Sequence, residues 1–321
     1  MAARPRPTTE GKHSVELSGV PETMLWPLWN RAVEKSRRAP LIDDPLAVGL
    51  IDRIDYDFAG RFGKPSVMHA IRARHSDDLI RDYLAQGEEP RTVVALGDGL
   101  ETQFWRVDDG HVRWLSIDLP EAIAVRRRLL PDHPRAATIA ASALDPAWLD
   151  AVPRDPPPFI TASGLLMYFE QPDVVALLTR LAARFPGAEL FFDTIPPYIS
   201  RRTIEGLNLT KKYTAPPMPW GISLDDIPAF VRGLRRYQVR SIQTYADPFP
   251  QRTRLYKLLS YIAVVRRRYA PGLVHLRETS GPSLQVVSND APSFQSLSSA
   301  GRPHGSHPPS DQDNATRGTT R

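Results

Sequence analysis

Apolar residues recur along this chain in two alternating rhythms. Between Thr92 and Asp193, short runs of β-branched and apolar residues alternate with segments where apolar positions return every three or four residues. The pattern predicts strands at 92–96, 112–117, 136–140, 158–162 and 188–193, and helices at 100–107, 120–130, 146–151 and 172–184. Such alternation builds an α/β fold with a doubly wound, mostly parallel sheet. Helices precede it. One spans 22–37, with Met24, Leu25, Leu28, Trp29, Ala32 and Val33 on a single buried stripe. A second starts at Asp43-Asp44-Pro45, where proline suits the first turn, and a third covers 65–85. After Thr194 the rhythm loosens. It predicts a helix over 200–212, a Pro-rich aromatic lid from Thr214 to Trp220, and a helix over 224–232. A strand over 237–245, a helix over 255–265 and a last strand over 273–276 follow.

Ligands of a parallel sheet bind at the carboxyl ends of its strands. Those ends carry Gly97, Asp118, Ser142, Ser163 and Asp193. The stretch Thr92-Val93-Val94-Ala95-Leu96-Gly97-Asp98-Gly99 is a buried strand followed by two glycines one residue apart, a turn that lets a ligand approach the backbone. Asp118 follows roughly 20 positions later, where a nucleotide-binding βαβ unit places its ribose ligand. The third glycine of a dinucleotide fingerprint is replaced by Thr102. That argues against a pyrophosphate contact and leaves an adenosyl group that brings no phosphate. A tight loop without a ligand, with Asp118 merely capping the next helix, is the bland alternative.

Composition adds bounds. The 321 residues suffice for one large α/β domain, and 41% hydrophobic with 24% charged content is ordinary for a globular chain. Cysteine is absent, which excludes disulfides, thiolate metal sites and a cysteine nucleophile and fits a cytoplasmic location. Met1 to Ser14 has no apolar core of a signal peptide, and no apolar run is long enough to span a bilayer. The net charge of +5 comes in short clusters, Arg126-Arg127-Arg128, Arg235-Arg236 and Arg266-Arg267-Arg268. These read as solvated faces rather than a nucleic-acid track. The ends, 1–14 and 279–321, are rich in small, polar and proline residues and are expected to be disordered.

Several stretches, taken in order, resemble the leucine carboxyl methyltransferase family, in particular its bacterial polyketide-type (tetracenomycin-type) O-methyltransferase branch. They are Val20-Pro21-Glu22-Thr23, Leu41-Ile42-Asp43-Asp44-Pro45, Leu96-Gly97-Asp98-Gly99-Leu100-Glu101-Thr102, Asp118-Leu119-Pro120-Glu121, Ser142-Ala143-Leu144-Asp145, Gly164-Leu165-Leu166-Met167-Tyr168 and Trp220-Gly221. The resemblance runs from about Leu17 to Glu278. It implies a class I, Rossmann-like methyltransferase fold with S-adenosyl-L-methionine as cofactor. Its expected parts are a helical extension (15–90), a cofactor-binding core (91–195), a cap (196–232) and C-terminal sheet elements (233–278). It further implies that Arg72 holds the methionine carboxylate, Gly97 and Gly99 admit the cofactor, and Asp118 with Leu119 takes the ribose. Ala143 and Leu144 would flank adenine, Ser163 would face the cofactor's amino end, and Tyr168 would border the acceptor pocket. Two departures stand out. Glu101-Thr102-Gln103 replaces the family's Asp-Thr-Arg, and Ser163 replaces a glutamate, keeping a hydrogen bond but no charge.

The implied function is O-methylation of a carboxyl or hydroxyl group on a small molecule. A carboxylate acceptor needs no base, whereas a phenol or alcohol does. The candidate bases are His69, His75 and Tyr168, none in a signature that assigns the role. No metal is called for. Two other readings remain at this point. One is a binding or scaffold protein on the same fold, weakened at Ser163. The other is a nicotinamide-dependent oxidoreductase, against which Thr102 argues. The sequence is silent on oligomeric state.

Overall fold

The computed structural model describes residues 12–279. Both expected tails, apart from Lys12 to Ser14 and Thr279, lie outside the described residues.

Seven strands form the central sheet: β1 (Thr92–Leu96), β2 (Arg113–Asp118), β3 (Ala136–Ala140), β4 (Phe159–Ala162), β5 (Glu189–Thr194), β6 (Tyr237–Thr244) and β7 (Gly272–Glu278). Their spatial order is β6-β7-β5-β4-β1-β2-β3. Strands β1 to β5 run parallel, and β7 lies antiparallel between β5 and β6. The order reverses between β4 and β1, so β1 opens the crevice where a doubly wound sheet binds its ligand.

The helices are α1 (Leu25–Lys35), α2 (Pro45–Arg53), α3 (Phe58–Phe62), α4 (Met68–Leu84), α5 (Gln103–Val107), α6 (Pro120–Leu129), α7 (Gln171–Arg184), α8 (Pro197–Ile204), α9 (Ile227–Leu234), α10 (Arg254–Ser260) and α11 (Ala263–Tyr269). Alternate strand residues serve opposite faces. Val94, Leu96, Ile160, Leu190 and Phe192 pack against α7 and α9 through Val174, Leu178, Leu181, Ile227 and Val231. Val93, Ala95, Trp114, Phe159 and Phe191 pack on the other face against Ile71, Ile80, Tyr83 and Phe104 of α4 and α5. Two-sided burial is why β1 reads as an unbroken apolar run. A separate aromatic and aliphatic core, including Leu25, Leu28, Phe58, Phe62 and Tyr213, joins α1–α3 to the cap.

Local chemistry sets several boundaries. The Asp44 carboxylate accepts from the Ala47 amide at 3.0 Å, capping α2 with Pro45 in its first turn. Asp57 caps α3 in the same way through the Gly60 amide.

The structure departs from the sequence reading at five places. His13 and Ser14 pair in parallel with Ile54 and Asp55 instead of trailing free. Helix α5 starts at Gln103, because the Glu101 and Thr102 side chains are drawn into ion and hydrogen bonds around Arg106. The segment 200–212 is not one helix. Helix α8 ends at Ile204, and Asn208–Thr210 then pairs antiparallel with Tyr213–Thr214, turning Leu209 inward. The 255–265 helix is split into α10 and α11 by a break at Tyr261 and Ile262, both exposed. Short helix α3 was not anticipated.

Candidate active site

The turn after β1 is held by side chains rather than by a third glycine. Gly97 (φ +66°) and Gly99 (φ +41°) both occupy the left-handed region. A Cβ on Gly97 would lie 2.9 Å from Leu165 Cδ1, and one on Gly99 would lie 2.6 Å from Met24 Cβ. Between them, Asp98 turns inward to accept from Ser116 Oγ at 2.5 Å and to pair with the Arg126 guanidinium, whose Nη2 lies 3.0 Å away. Burial pushes the Asp98 carboxyl up, and Arg126 and the hydrogen bonds oppose that shift.

At the end of β2, Asp118 Oδ2 accepts from the Gly99 amide and Oδ1 from the Leu119 amide, each at 2.7 Å. Asp118 therefore ties β2 to the glycine turn and does not cap α6, whose N-cap is Leu119 with no side-chain bond. Each carboxylate oxygen keeps a lone pair for a ligand hydroxyl. Burial raises the Asp118 pKa, against the pull of the two amides.

Arg72, in the second turn of α4, donates from Nη1 to Asp193 Oδ2 at 2.9 Å. It does not pair with Asp77 or Asp78. Arg74 takes Asp78, and Asp77 binds Gln103 and Arg106. Asp193 also accepts from the Tyr245 hydroxyl at 2.6 Å and from the Gly164 amide. Burial would lower the Arg72 pKa, but Asp193, Tyr245 and Glu101 together outweigh it and the pKa rises. Tyr245 is driven well above the usual phenol value by burial and by Asp193. Ser163 Oγ lies 3.1 Å from Thr161 Oγ1. Ser163 thus brings no charge to the position where the resemblance implies a glutamate, and Asp193 on the neighbouring strand supplies a carboxylate to this wall, accepting from the adjacent Gly164 amide.

Two cavities meet at this point. A smaller one of about 170 Å³ lies beside Asp118, between Ile117, Ala143, Leu165 and Phe169. A larger one of about 270 Å³ runs beneath the cap, where Trp26, Met68, Ile199, Leu209 and Met218 make a mainly apolar wall. Both reach Gly97, Asp118, Leu119, Leu165 and Tyr168. Arg72, Ser163, Asp193, Tyr245 and His69 line the larger one. A third recess of about 50 Å³ extends past Ser163 to Gly99, Glu101 and Arg31.

The structure gathers Arg72, Gly97, Gly99, Asp118, Leu119, Ala143, Ser163 and Tyr168 around these connected spaces. Leu144 is the exception. It packs half-buried against the α7-side core, with its carbonyl taken by Arg180 at 2.7 Å, and lines none of the three. Trp220 is likewise core, against Phe192 and Phe230. Of the candidate bases, His75 faces Phe191 away from the cavities, whereas His69 and Tyr168 line the larger one. Asp193 and Tyr245 were not singled out as ligand contacts in the sequence. Asp193 had the signal of a strand-end position, and Tyr245 had none. Among the described residues there is no cluster of metal-binding side chains and no helix long and apolar enough to cross a membrane.

The chain is also similar to known proteins. Residues 25–182 match the family model described as leucine carboxyl methyltransferase. The chain is 33% identical over 191 residues to the tetracenomycin polyketide synthesis O-methyltransferase TcmP of Streptomyces glaucescens, covering 59% of this chain and 70% of the relative. It is 27% identical over 196 residues to the S-adenosyl-L-methionine-dependent methyltransferase dpfgK of Gibberella zeae, covering 56% and 65%. A methyltransferase-class crystal structure from Thermobifida fusca superimposes with a TM-score of 0.50 at 16% identity, covering 79% of this chain and 94% of that one, which speaks to the fold alone. The chain belongs to the leucine carboxyl methyltransferase family and has the class I methyltransferase fold.

Proposed function

We propose that this protein is an O-methyltransferase that methylates a carboxyl or hydroxyl oxygen of a small, largely apolar molecule of the polyketide type. S-adenosylmethionine is the cofactor. The observation that carries the reading is the meeting of two cavities at Gly97, Asp118, Leu165 and Tyr168. One is narrow, apolar and flanked by a carboxylate. The other is broader and roofed by the cap.

The residues present fit the cofactor. Asp118 offers two oxygens, already fixed by backbone amides, for the two ribose hydroxyls. Ile117, Ala143, Leu165 and Phe169 form an apolar slot for a purine. Arg72 brings a guanidinium for a carboxylate. Positive φ at Gly97, without a Cβ, lets a ligand approach the turn. When bound, the cofactor supplies a methyl group on a sulfonium, already carrying a good leaving group. What remains for the protein is to align the acceptor oxygen and exclude water. Met68, Ile199, Leu209 and Met218 do the excluding from the acceptor side. The 33% identical relative is named for polyketide O-methylation, which supports that acceptor class here.

Calorimetric titration with S-adenosylhomocysteine, followed by a methyl-transfer screen of aromatic acids and phenols, tests the reading. Saturable binding and a methyl ester or ether product are expected. Binding without any product would favour the scaffold alternative raised by Ser163.

A further inference from the structure

His69 stands at the start of α4 with its ring on the wall of the larger cavity. The ring meets Trp26 edge-on at 5.0 Å between centroids. Its Nδ1 lies 2.5 Å from Asn30 Nδ2. The amide of Asn30 is oriented in turn, because its Oδ1 accepts from the Ser66 backbone N–H at 3.1 Å. Asn30 is buried on α1 and has its oxygen committed, so only its NH₂ faces His69. An NH₂ group donates, so Nδ1 must accept. A neutral imidazole bonded this way carries its single proton on Nε2. Among the described residues Nε2 has no hydrogen-bond partner of its own.

We infer that His69 is a positioning group for the methyl acceptor, a hydrogen-bond donor whose Nε2–H is locked by the Ser66–Asn30 chain and aimed at the acceptor's oxygen. The inference rests on the methyltransferase reading above and adds a residue and a role to it. His69 cannot serve as the general base in this arrangement. Its one basic nitrogen is occupied by Asn30, and the nitrogen left free already bears a proton. Burial, reinforced by the cations of Arg72 and Arg31, holds the imidazole well below its usual pKa, so it stays neutral and keeps this tautomer. Tyr168, the other candidate on this wall, is pushed above the usual phenol value by burial and is also a poor base at neutral pH. The wall therefore offers a donor to an acceptor oxygen that arrives ionised, and neither His69 nor Tyr168 is set to deprotonate a neutral alcohol. A donor fixed in one tautomer holds one lone pair of that oxygen and leaves another free for in-line attack.

The test is nitrogen-15 NMR of the full-length protein labelled at histidine, with His69 signals assigned by their loss in His69→Phe. Spectra are recorded with S-adenosylhomocysteine, then with added benzoate as an ionised aromatic probe. The expected result is a bare Nδ1 and a protonated Nε2, with the Nε2–H signal shifting saturably on benzoate addition. His69→Phe should weaken benzoate at least about tenfold, the loss of one charge-assisted hydrogen bond. Asn30→Asp, which can only accept, should move a proton onto Nδ1. This second variant keeps the side-chain size and tests the lock without removing the ring. A proton on Nδ1 in the unmodified protein, or benzoate that leaves the Nε2–H signal unmoved, overturns the inference. Adenosylhomocysteine binding in the same samples separates the two levels. Its absence faults the proposed function, whereas its presence with the wrong tautomer faults only the role given to His69.

Discussion

Arg72 and Asp193 are 121 residues apart in sequence, yet Arg72 Nη1 donates to Asp193 Oδ2 at 2.9 Å, with only 9% and 3% of their side chains exposed. The pair fastens α4 of the helical extension to the carboxyl end of β5. It fixes one wall of the larger cavity, with Tyr245 and the Gly164 amide completing the shell of Asp193.

Removing the cation leaves a buried carboxylate with two neutral donors. Arg72→Met should lower unfolding free energy by about 3–5 kcal/mol, the usual cost of breaking a buried pair from one side. Urea denaturation measures it. An effect within experimental error would mean that Asp193 is satisfied without Arg72.

Gly164 sits at φ +72°, and a Cβ there would lie 2.6 Å from Arg72 Nη1. Gly164→Ala therefore combines backbone strain with displacement of the guanidinium. A loss of about 1–3 kcal/mol is expected from the strain alone. In thermal unfolding, Gly233→Ala is the contrasting control, because a Cβ at that helical glycine meets nothing within 4 Å.

If Asp118 takes the ribose, Asp118→Asn should weaken S-adenosylhomocysteine by about 10- to 100-fold, the worth of hydrogen bonds to a charged acceptor. Burial raises the Asp118 pKa. In the unmodified protein, affinity should accordingly begin to fall at a pH above the ordinary aspartate value of about 3.9. Calorimetry across pH separates this from unfolding, since heat of binding would be lost while the near-UV circular dichroism is retained.

Asp44 shows a different pH dependence. Burial pushes its carboxyl up, but Arg31, Arg106, the Thr102 hydroxyl and the Ala47 amide together hold it below the ordinary value. A depressed folded pKa contributes stability that is present above the unfolded value and is lost as pH falls through the folded one. Asp44→Asn keeps the helix cap and removes the charge. It should cost about 3 kcal/mol at neutral pH, at the low end for a buried pair because Arg31 and Arg106 retain Glu101. The gap between the two proteins should close below about pH 4, the ordinary carboxylate range. A gap that stays constant with pH would show that Asp44 acts through packing and not charge.

The sequence by itself determined the sheet and the ligand-binding end of it. Strands β1 and β3 were legible to the residue, and the others nearly so; for the central strands β1, β4 and β5 the reason is that burial on both faces leaves an uninterrupted apolar run. Gly97 and Asp118 were legible for a related reason. A positive-φ turn and a strand-end carboxylate are local necessities of the βαβ unit, written within about twenty residues of each other. What only the tertiary structure decided depends on contacts far apart in the chain. The 200–212 segment holds apolar residues at spacings that fit a helix, but Leu209 packs with the α1–α3 core and the backbone pairs as a hairpin to place it there. Leu144 stands beside Ala143 in sequence, yet only Ala143 borders the slot, while Leu144 packs half-buried against the core. The partner of Arg72, the tautomer of His69 and the charge beside Ser163 were set by Asp193, Asn30 and Ser66, which come from other elements. Periodicity reports which face of its own element a residue occupies, and the choice of partner across elements is made only when those faces pack together.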